Sequence, residues 1–162
     1  MSEVDLIPVL SQEEVAEIEA EISHLPDRPS AAIDALMIVQ KHRGWVSDES
    51  LSAIAHLLGM STAELDGVAT FYNLIYRQPV GRHVISVCDS VSCYVMGADG
   101  LAKDLEAKLG ISFGETTADE RFTLLPIVCL GACDKAPTMQ IDEDLIENVS
   151  AERLDDIFEK YK

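Results

Sequence analysis

Four cysteines stand in two close pairs, and their placement is the strongest constraint on how this chain folds. The first pair, Cys88 and Cys93, has four residues between its members in "VCDSVSC", and the second, Cys129 and Cys133, has three in "VCLGACDKAPTMQI". Each pair directly follows an apolar run, "HVISV" or "FTLLPIV", that predicts a β-strand. If the two strands are parallel neighbours, their carboxyl ends lie side by side and the four thiols converge at one edge of a sheet.

Four such thiols could form disulfides, bind a metal, serve as redox thiols or be inert. The opening residues, "MSEVDLIPVLSQEEV", contain no basic segment followed by an apolar stretch, so we expect no secretory signal. No apolar run approaches the roughly 20 residues that span a bilayer. We therefore expect a cytoplasmic chain with reduced thiols, which disfavours two structural disulfides and favours metal binding or redox chemistry.

The charge of the chain disfavours several kinds of partner. Acidic residues outnumber basic ones by 29 to 12, which gives a formal net charge of -17. Binding to DNA, RNA or an anionic membrane needs clustered Lys and Arg, whereas this charge suits solubility or docking on a basic partner surface. The sequence also has no G-x-G-x-x-G motif, no Walker loop and no paired nucleophile and base, so we expect no catalytic site on this chain.

Residues 1–78 are predicted to form an N-terminal helical bundle. Apolar residues recur at helical spacing in four segments, two of which open with capping boxes, "SQEE" and "STAE". The predicted helix starts are Ser11, Pro29, Ser47 and Ser61, and Gly44 and Gly59 end the second and third helices. Ile33, Met37 and Ile38 widen the apolar stripe of the second helix, which predicts that it is buried on most sides.

The third and fourth predicted helices have the spacing of a helix-turn-helix. The fourth carries Glu64 and Asp66 but no Lys or Arg that could contact phosphate. We therefore interpret the pair as a packed helical hairpin rather than a reader of DNA.

Residues 79–162 are predicted to form a small α/β domain. Its expected strands are "RHVISVC", ending at Cys88, "RFTLLPIVC", ending at Cys129, and the short "TMQI". The expected helices are "ADGLAKDLEAKLG" and "SAERLDDIFEKY". Pro126 has no amide to donate, so the second strand should lie at a sheet edge or contain a bulge.

The residues alone favour an iron–sulfur cluster at the four cysteines without excluding zinc or thiol redox chemistry. Zinc and iron–sulfur clusters both accept four thiolates. The commonest zinc knuckle, C-x2-C, is absent from the sequence. A binuclear cluster is wider than a single zinc ion, and longer loops built of small residues, "DSVS" and "LGA", suit it.

Two stretches, "GVATFYNLIYRQPVGRHVISVCDSVSC" and "CLGACDKAPTMQID", closely resemble the E-subunit family of bacterial NADH:quinone oxidoreductase, respiratory complex I. The resemblance covers nearly the whole chain, with no departure at the four cysteines. It implies an α/β fold with a thioredoxin-like [2Fe-2S] ferredoxin domain behind an N-terminal helical bundle. It also implies that Cys88, Cys93, Cys129 and Cys133 bind one [2Fe-2S] cluster. Pro137 would then occupy the place where thioredoxin-like proteins carry a cis-proline.

The resemblance further implies a non-catalytic electron-transfer subunit. Members of this family pair with a larger flavoprotein subunit that holds FMN, the NADH site and a tetranuclear iron–sulfur cluster. FMN and NADH are therefore expected on the partner, from whose reduced flavin this chain would accept single electrons. The chain would lie peripheral to the inner membrane as part of the complex, without inserting into it.

Three alternatives stay open at this point. The chain could be the equivalent diaphorase subunit of an NAD-linked hydrogenase or formate dehydrogenase. It could also be a zinc-stapled interaction module. A redox-sensing regulator built on the helix-turn-helix-like pair is the third alternative, and the missing basic residues oppose it.

We expect Asp134→Asn to make the reduction potential of the cluster less negative. Asp89 and Asp134 each directly follow a predicted ligand cysteine, and reduction adds negative charge to a chain already at -17. The shift should grow at low ionic strength, because salt screens charges beyond roughly 8–10 Å. An EPR-monitored titration should place the wild-type potential near about −400 mV. A wild-type potential above about −150 mV, the bottom of the Rieske range, would contradict an all-cysteine site.

Overall fold

The structure, a computed structural model, describes residues 9–162. The first eight residues, on which part of the expectation about a secretory signal rests, lie outside the described residues. The chain divides into two compact units, one ending at Pro79 and the other running Val80–Lys162. Each unit has its own hydrophobic core.

Four α-helices build the first unit, and their predicted caps form. The helices are α1 (Gln12–Ile22), α2 (Ala32–Arg43), α3 (Asp48–Leu58) and α4 (Thr62–Phe71), with a 3₁₀ turn, Arg28–Ala31, leading into α2. Both predicted capping boxes are complete, at the starts of α1 and α4. Gly44 and Gly59 end α2 and α3 at φ values of 83° and 71°, a left-handed conformation that would strain any other residue.

The core of the first unit is made by one face of each helix. Ile18, Leu36, Ile54 and Leu65 are fully buried there. In contrast, Ile33 and Met37 of α2 are 37% and 45% exposed. The prediction that α2 is buried on most sides is therefore wrong. The buried stripe of α2, Ala32, Ala35, Leu36 and Val39, faces the core, and Ile38 packs partly buried against it, whereas Ile33 and Met37 lie outside it.

One ion pair joins α1 to α2 across this core. Glu14, 1% exposed, closes the capping box of α1 by accepting from the Ser11 amide at 2.6 Å. It also accepts from Nε and Nη2 of Arg43, each at 2.6 Å. Burial opposes ionisation of Glu14, but the hydrogen bonds from Arg43 and Ser11 outweigh it and lower the pKa of the carboxyl. The Arg43 guanidinium also donates to the Ser50 hydroxyl, which ties α3 to the pair.

The second unit is a mixed sheet with helices. It contains β1 (His83–Cys88), α5 (Val91–Val95), α6 (Ala98–Leu109), β2 (Phe122–Ile127), β3 (Met139–Ile141), β4 (Asp144–Ile146) and α7 (Leu154–Phe158), with 3₁₀ turns at Cys133–Lys135 and Ala151–Arg153. The strand order is β2-β1-β3-β4; β1 and β2 are parallel, and the other pairs are antiparallel. Leu105 of α6 and Leu154 of α7 pack with Ile85 and Leu124 of the sheet. The predicted α/β fold behind N-terminal helices is confirmed.

Two details of the sheet differ from the sequence prediction. Strand β2 ends at Ile127 rather than at Cys129, and β4 was not predicted at all. Pro126 does lie in an edge strand, as its missing amide predicts.

Glu14→Gln is expected to lower the free energy of unfolding by about 2 kcal/mol, because the Arg43 guanidinium loses its charged partner. The pKa of Glu14 is lowered, so its contribution is fully present above the ordinary glutamate pKa and is lost only as pH falls through the lower folded value. The loss measured by urea unfolding should therefore be the same at pH 6 and pH 8.

Glu64→Gln is the matched control, since Glu64 closes the other capping box without an arginine partner. It should cost less stability than Glu14→Gln. Equal losses in the two variants would show that the cap, and not the ion pair with Arg43, explains the effect.

Candidate metal centre

The first cysteine pair lies where β1 turns into a short helix. Cys88 is the last residue of β1 and is 1% exposed, and Cys93 lies in α5 and is 2% exposed. The turn closes when the Tyr94 amide donates to the Ser90 carbonyl at 2.9 Å. This brings the Cys93 thiol within hydrogen-bonding reach of Cys88, so the two form a buried pair.

The second pair lies in the loop after β2. Cys129 follows the end of β2 by two residues, and Cys133 starts the 3₁₀ turn. Between them Gly131 has φ 83°, and its amide donates to Cys129 Sγ at 3.4 Å. The two sulfurs are 3.3 Å apart, and both residues are exposed. The loop therefore holds a second, solvent-facing thiol pair.

Strand register brings the two pairs to the same edge. Cys88 is the partner of Ile127 in the parallel pairing of β1 and β2, and the Asp89 amide donates to the Ile127 carbonyl at 3.1 Å. The expectation that the two strands are parallel neighbours, with both cysteine loops at their carboxyl ends, is confirmed.

Contacts between the two loops interlock them. The amide of Leu130, in the second loop, donates to the Cys88 sulfur of the first. In the other direction, the Ser92 hydroxyl hydrogen-bonds with Cys133, which also experiences the charge of Cys93. Each loop thus influences the ionisation of a cysteine in the other.

A third segment supports the pairs from β3. The Ala136–Pro137 bond is cis, in agreement with the place that the resemblance gives Pro137. The next residue, Thr138, is 2% exposed, and its carbonyl accepts from the Cys88 amide at 3.2 Å. Its hydroxyl lies 3.5 Å from Cys93 Sγ. The sequence did not predict a role for Thr138 or Leu130, because both act through tertiary contacts with the thiols. The one available signal was the position of Thr138 directly after Pro137.

The thiols differ in how readily they ionise. Burial opposes ionisation of Cys88, but the amides of Ser90 and Leu130 and the Cys93 thiol outweigh it and lower its pKa. The hydrogen bond to Cys129 and the like charges of Cys129 and Cys93 raise the pKa of Cys133, against the Ser92 hydroxyl. Four thiolates in this space repel one another, so their full ionisation calls for a bound cation.

The donor set fits a binuclear iron–sulfur cluster. Its atoms are all thiol sulfurs, and each iron of such a cluster takes two thiolates. In the region that the structure describes, no group of three or more His, Cys, Asp or Glu side chains is arranged to hold a single ion. Two thiol pairs at one sheet edge supply two thiolates for each of the two irons.

Exposed apolar side chains flank the two pairs. Val91, Tyr94 and Val95 of α5, with Met96 at its end, are 60–75% exposed, and Val128, directly before Cys129, is 60% exposed. We name these five residues the cysteine-side surface. Clustered exposed apolar residues of this kind are typical of interaction sites.

Comparison with known proteins places this site in a family. The model of the thioredoxin-like [2Fe-2S] ferredoxin family matches residues 18–162. The E subunit of the NADH-quinone oxidoreductase of Pseudomonas aeruginosa is 48% identical over 99% of this chain and 99% of its own length. The E subunit of the Escherichia coli K12 enzyme is 52% identical over 94% of this chain and 92% of its own.

A solved structure is similar over much of the chain. The crystal structure of an NAD+-reducing [NiFe]-hydrogenase in the air-oxidized state matches 81% of this chain with a TM-score of 0.67 and 26% identity. The match spans 22% of that hydrogenase chain, so the similar fold is one part of a longer polypeptide there.

The two thiol pairs, the α/β fold that holds them and the near full-length relatives agree with the resemblance stated from the sequence. The chain belongs to the thioredoxin-like [2Fe-2S] ferredoxin family, whose cofactor is a [2Fe-2S] cluster, and within it to the E subunits of NADH-quinone oxidoreductase.

Proposed function

We propose that this chain is the electron-transfer subunit of an NADH-quinone oxidoreductase and accepts single electrons from the reduced flavin of a neighbouring FMN-containing subunit. The observation that carries the proposal is the convergence of two thiol pairs, one buried and one exposed, at one sheet edge. The identity to known E subunits over nearly the full length of both chains supports the choice of complex.

In this proposal Cys88 and Cys93 hold one iron, and Cys129 and Cys133 hold the other. A [2Fe-2S] cluster supplies a one-electron acceptor. The amides of Ser90, Leu130 and Gly131 donate to the cysteine sulfurs and stabilise the negative charge that reduction adds. The exposed pair gives electrons a short route from the protein surface.

The cysteine-side surface is where the flavoprotein subunit would dock. Four of its residues belong to the loop of the buried pair, and Val128 directly precedes the exposed Cys129, so a partner that covers this surface would also approach the cluster. The remaining surface is acidic overall and suits a basic rim on the partner. Through the flavoprotein, which would hold FMN, NADH and a tetranuclear cluster, the chain would join the rest of complex I.

The chain itself would carry no catalytic site. Its sequence lacks the glycine-rich phosphate-binding motifs that NADH or FMN sites on α/β folds use. Oxidation of NADH is therefore assigned to the partner, and this chain only receives electrons.

We propose two domains with separate roles. Residues 1–78 form a helical domain, and residues 79–162 form the domain that holds the cluster. Among the described residues, no helix has the length and apolar character that crossing a bilayer requires. The proposed location is cytoplasmic, at the periphery of the inner membrane as part of the complex.

An NAD-linked hydrogenase is the second candidate. The similarity to the NAD+-reducing [NiFe]-hydrogenase, with a TM-score of 0.67, favours it. Its 26% identity and 22% coverage of the longer chain are weaker support than about half identity over full-length E subunits.

Replacing any one of Cys88, Cys93, Cys129 or Cys133 by Ala should remove or severely destabilise the cluster, because each iron needs two thiolates. Iron and acid-labile sulfide per chain, with the visible spectrum, measure the effect. Val91→Ala is the control, since Val91 lies between the two ligands of the first loop, is 75% exposed and has no thiol; it should keep the full iron content. A cysteine that can be replaced without loss of iron and sulfide is not a ligand.

Mixing the cluster-loaded chain with its flavoprotein subunit and a large excess of NADH over NAD+ under anaerobic conditions should give the EPR signal of a reduced [2Fe-2S] cluster. NADH without the flavoprotein should give none, because this chain has no flavin of its own. We also expect the N-terminal helices, residues 11–76, to contribute to docking, so a truncated chain that begins at Pro79 should keep the cluster spectrum but no longer co-purify with the flavoprotein. Rapid reduction by NADH alone would contradict the assignment of NADH oxidation to the partner.

A further inference from the structure

A second exposed apolar surface lies on the helical unit, away from the cysteines in sequence. It consists of Ile33 and Met37 of α2 with Phe71, Tyr72 and Leu74 at and after the end of α4, and we name these five the helical-unit surface. Phe71 is 77% exposed, and Tyr72 and Leu74 are 42% and 39% exposed. Within residues 9–79, these five are all of the exposed large hydrophobic side chains.

Contacts between α2 and the segment after α4 join these residues into one surface. Ile33, Met37 and Gln40 follow one another at i, i+4 and i+7, so they lie along one face of α2. The Gln40 side chain donates to the Leu74 carbonyl at 2.7 Å and accepts from the Tyr76 amide at 2.6 Å. These bonds hold the segment after α4 against that face of α2.

The aromatic end of this surface is also ordered. The rings of Phe71 and Tyr72 pack edge to face, with centroids 5.3 Å apart. Both belong to the "GVATFY" stretch, which lies in the helical unit and takes no part in holding the cysteines. Five large apolar side chains gathered on one surface, rather than scattered, are typical of an interaction site.

The charge of the chain decides between possible occupants. A second copy would bring another formal charge of -17 to the contact, and an anionic membrane would also be repelled. A partner protein with an apolar patch and a basic rim fits this surface. In the hydrogenase structure the matching region covers 81% of this chain, more than the cluster unit Val80–Lys162 alone, and belongs to a longer polypeptide.

We propose that the helical-unit surface is a separate attachment point for the flavoprotein subunit, in addition to the cysteine-side surface. The inference rests on the proposed function, which supplies this partner. Two surfaces on two linked units make the second contact intramolecular once the first has formed. The complex would thus persist even where the contact beside the cysteines alone is weak.

Replacing Phe71 and Leu74 together by Ser should weaken binding of the cluster-loaded chain to the immobilised flavoprotein subunit at least tenfold, since exposed aromatic anchors dominate such contacts. Leu145→Ser is the matched control: Leu145 is 43% exposed, lies outside both surfaces, and its replacement should change the affinity less than twofold. The visible spectrum and reduction potential of the double variant should equal those of the wild type.

The outcomes separate this inference from the proposed function. If the wild-type chain does not bind the flavoprotein, both fail. If the wild type binds and the double variant binds equally well, only the attachment point fails. Dimerisation of the wild type that the double variant abolishes, or binding to phosphatidylglycerol vesicles, would assign the surface to a different occupant and overturn the inference.

A measurement on the unchanged chain guards against loss of folding in the variant. Hydrogen exchange of residues 68–76 should slow when the flavoprotein binds. Unchanged exchange there, with slowed exchange around α5, would restrict docking to the cysteine-side surface and overturn the second attachment point.

Discussion

Parallel pairing of β1 with β2 is the interaction on which the cysteine site depends. The register sets Cys88 opposite Ile127, so the chain leaves both strands at the same edge and both loops begin side by side. Because side chains alternate across a sheet, a slip of one residue would turn Cys88 to the other face and separate it from the second loop. The antiparallel pairing of β3 with β1 adds the third support, since it carries Thr138 to Cys88 and Cys93.

Local polarity around the sulfurs opposes the overall charge of the protein. The chain carries a formal charge of -17, yet backbone amides of Ser90, Leu130 and Gly131 are directed at the thiols. Amide dipoles act at hydrogen-bond distance, whereas most surface carboxylates are screened by salt. The site can therefore accept negative charge within a protein whose exterior repels anions, and that exterior still favours a basic partner.

The sequence predicted the positions of helices and strands better than the exposure and tertiary contacts of their side chains. Capping boxes and glycine stops are local, so Ser11, Gly44, Gly59 and Ser61 were placed correctly. The cysteine loops were expected at one sheet edge because parallel strands require it. What failed depends on packing: the exposure of Ile33 and Met37, the end of β2 at Ile127, and the short β4, whose three residues show no clear pattern. The contacts of Leu130 and Thr138 with the thiols arise only from the fold.

The unequal burial of the two thiol pairs gives the site one protected side and one open side. Cys88 and Cys93 are shielded by the protein's own core, whereas Cys129 and Cys133 face solvent. Oxygen and chelators therefore meet the exposed Cys129 and Cys133 more readily than the buried pair. In the proposed complex, a flavoprotein that docks beside these cysteines would also shield them from solvent. If that docking holds, a chain without its partner would lose its cluster to oxygen or chelators sooner than the same chain in the complex.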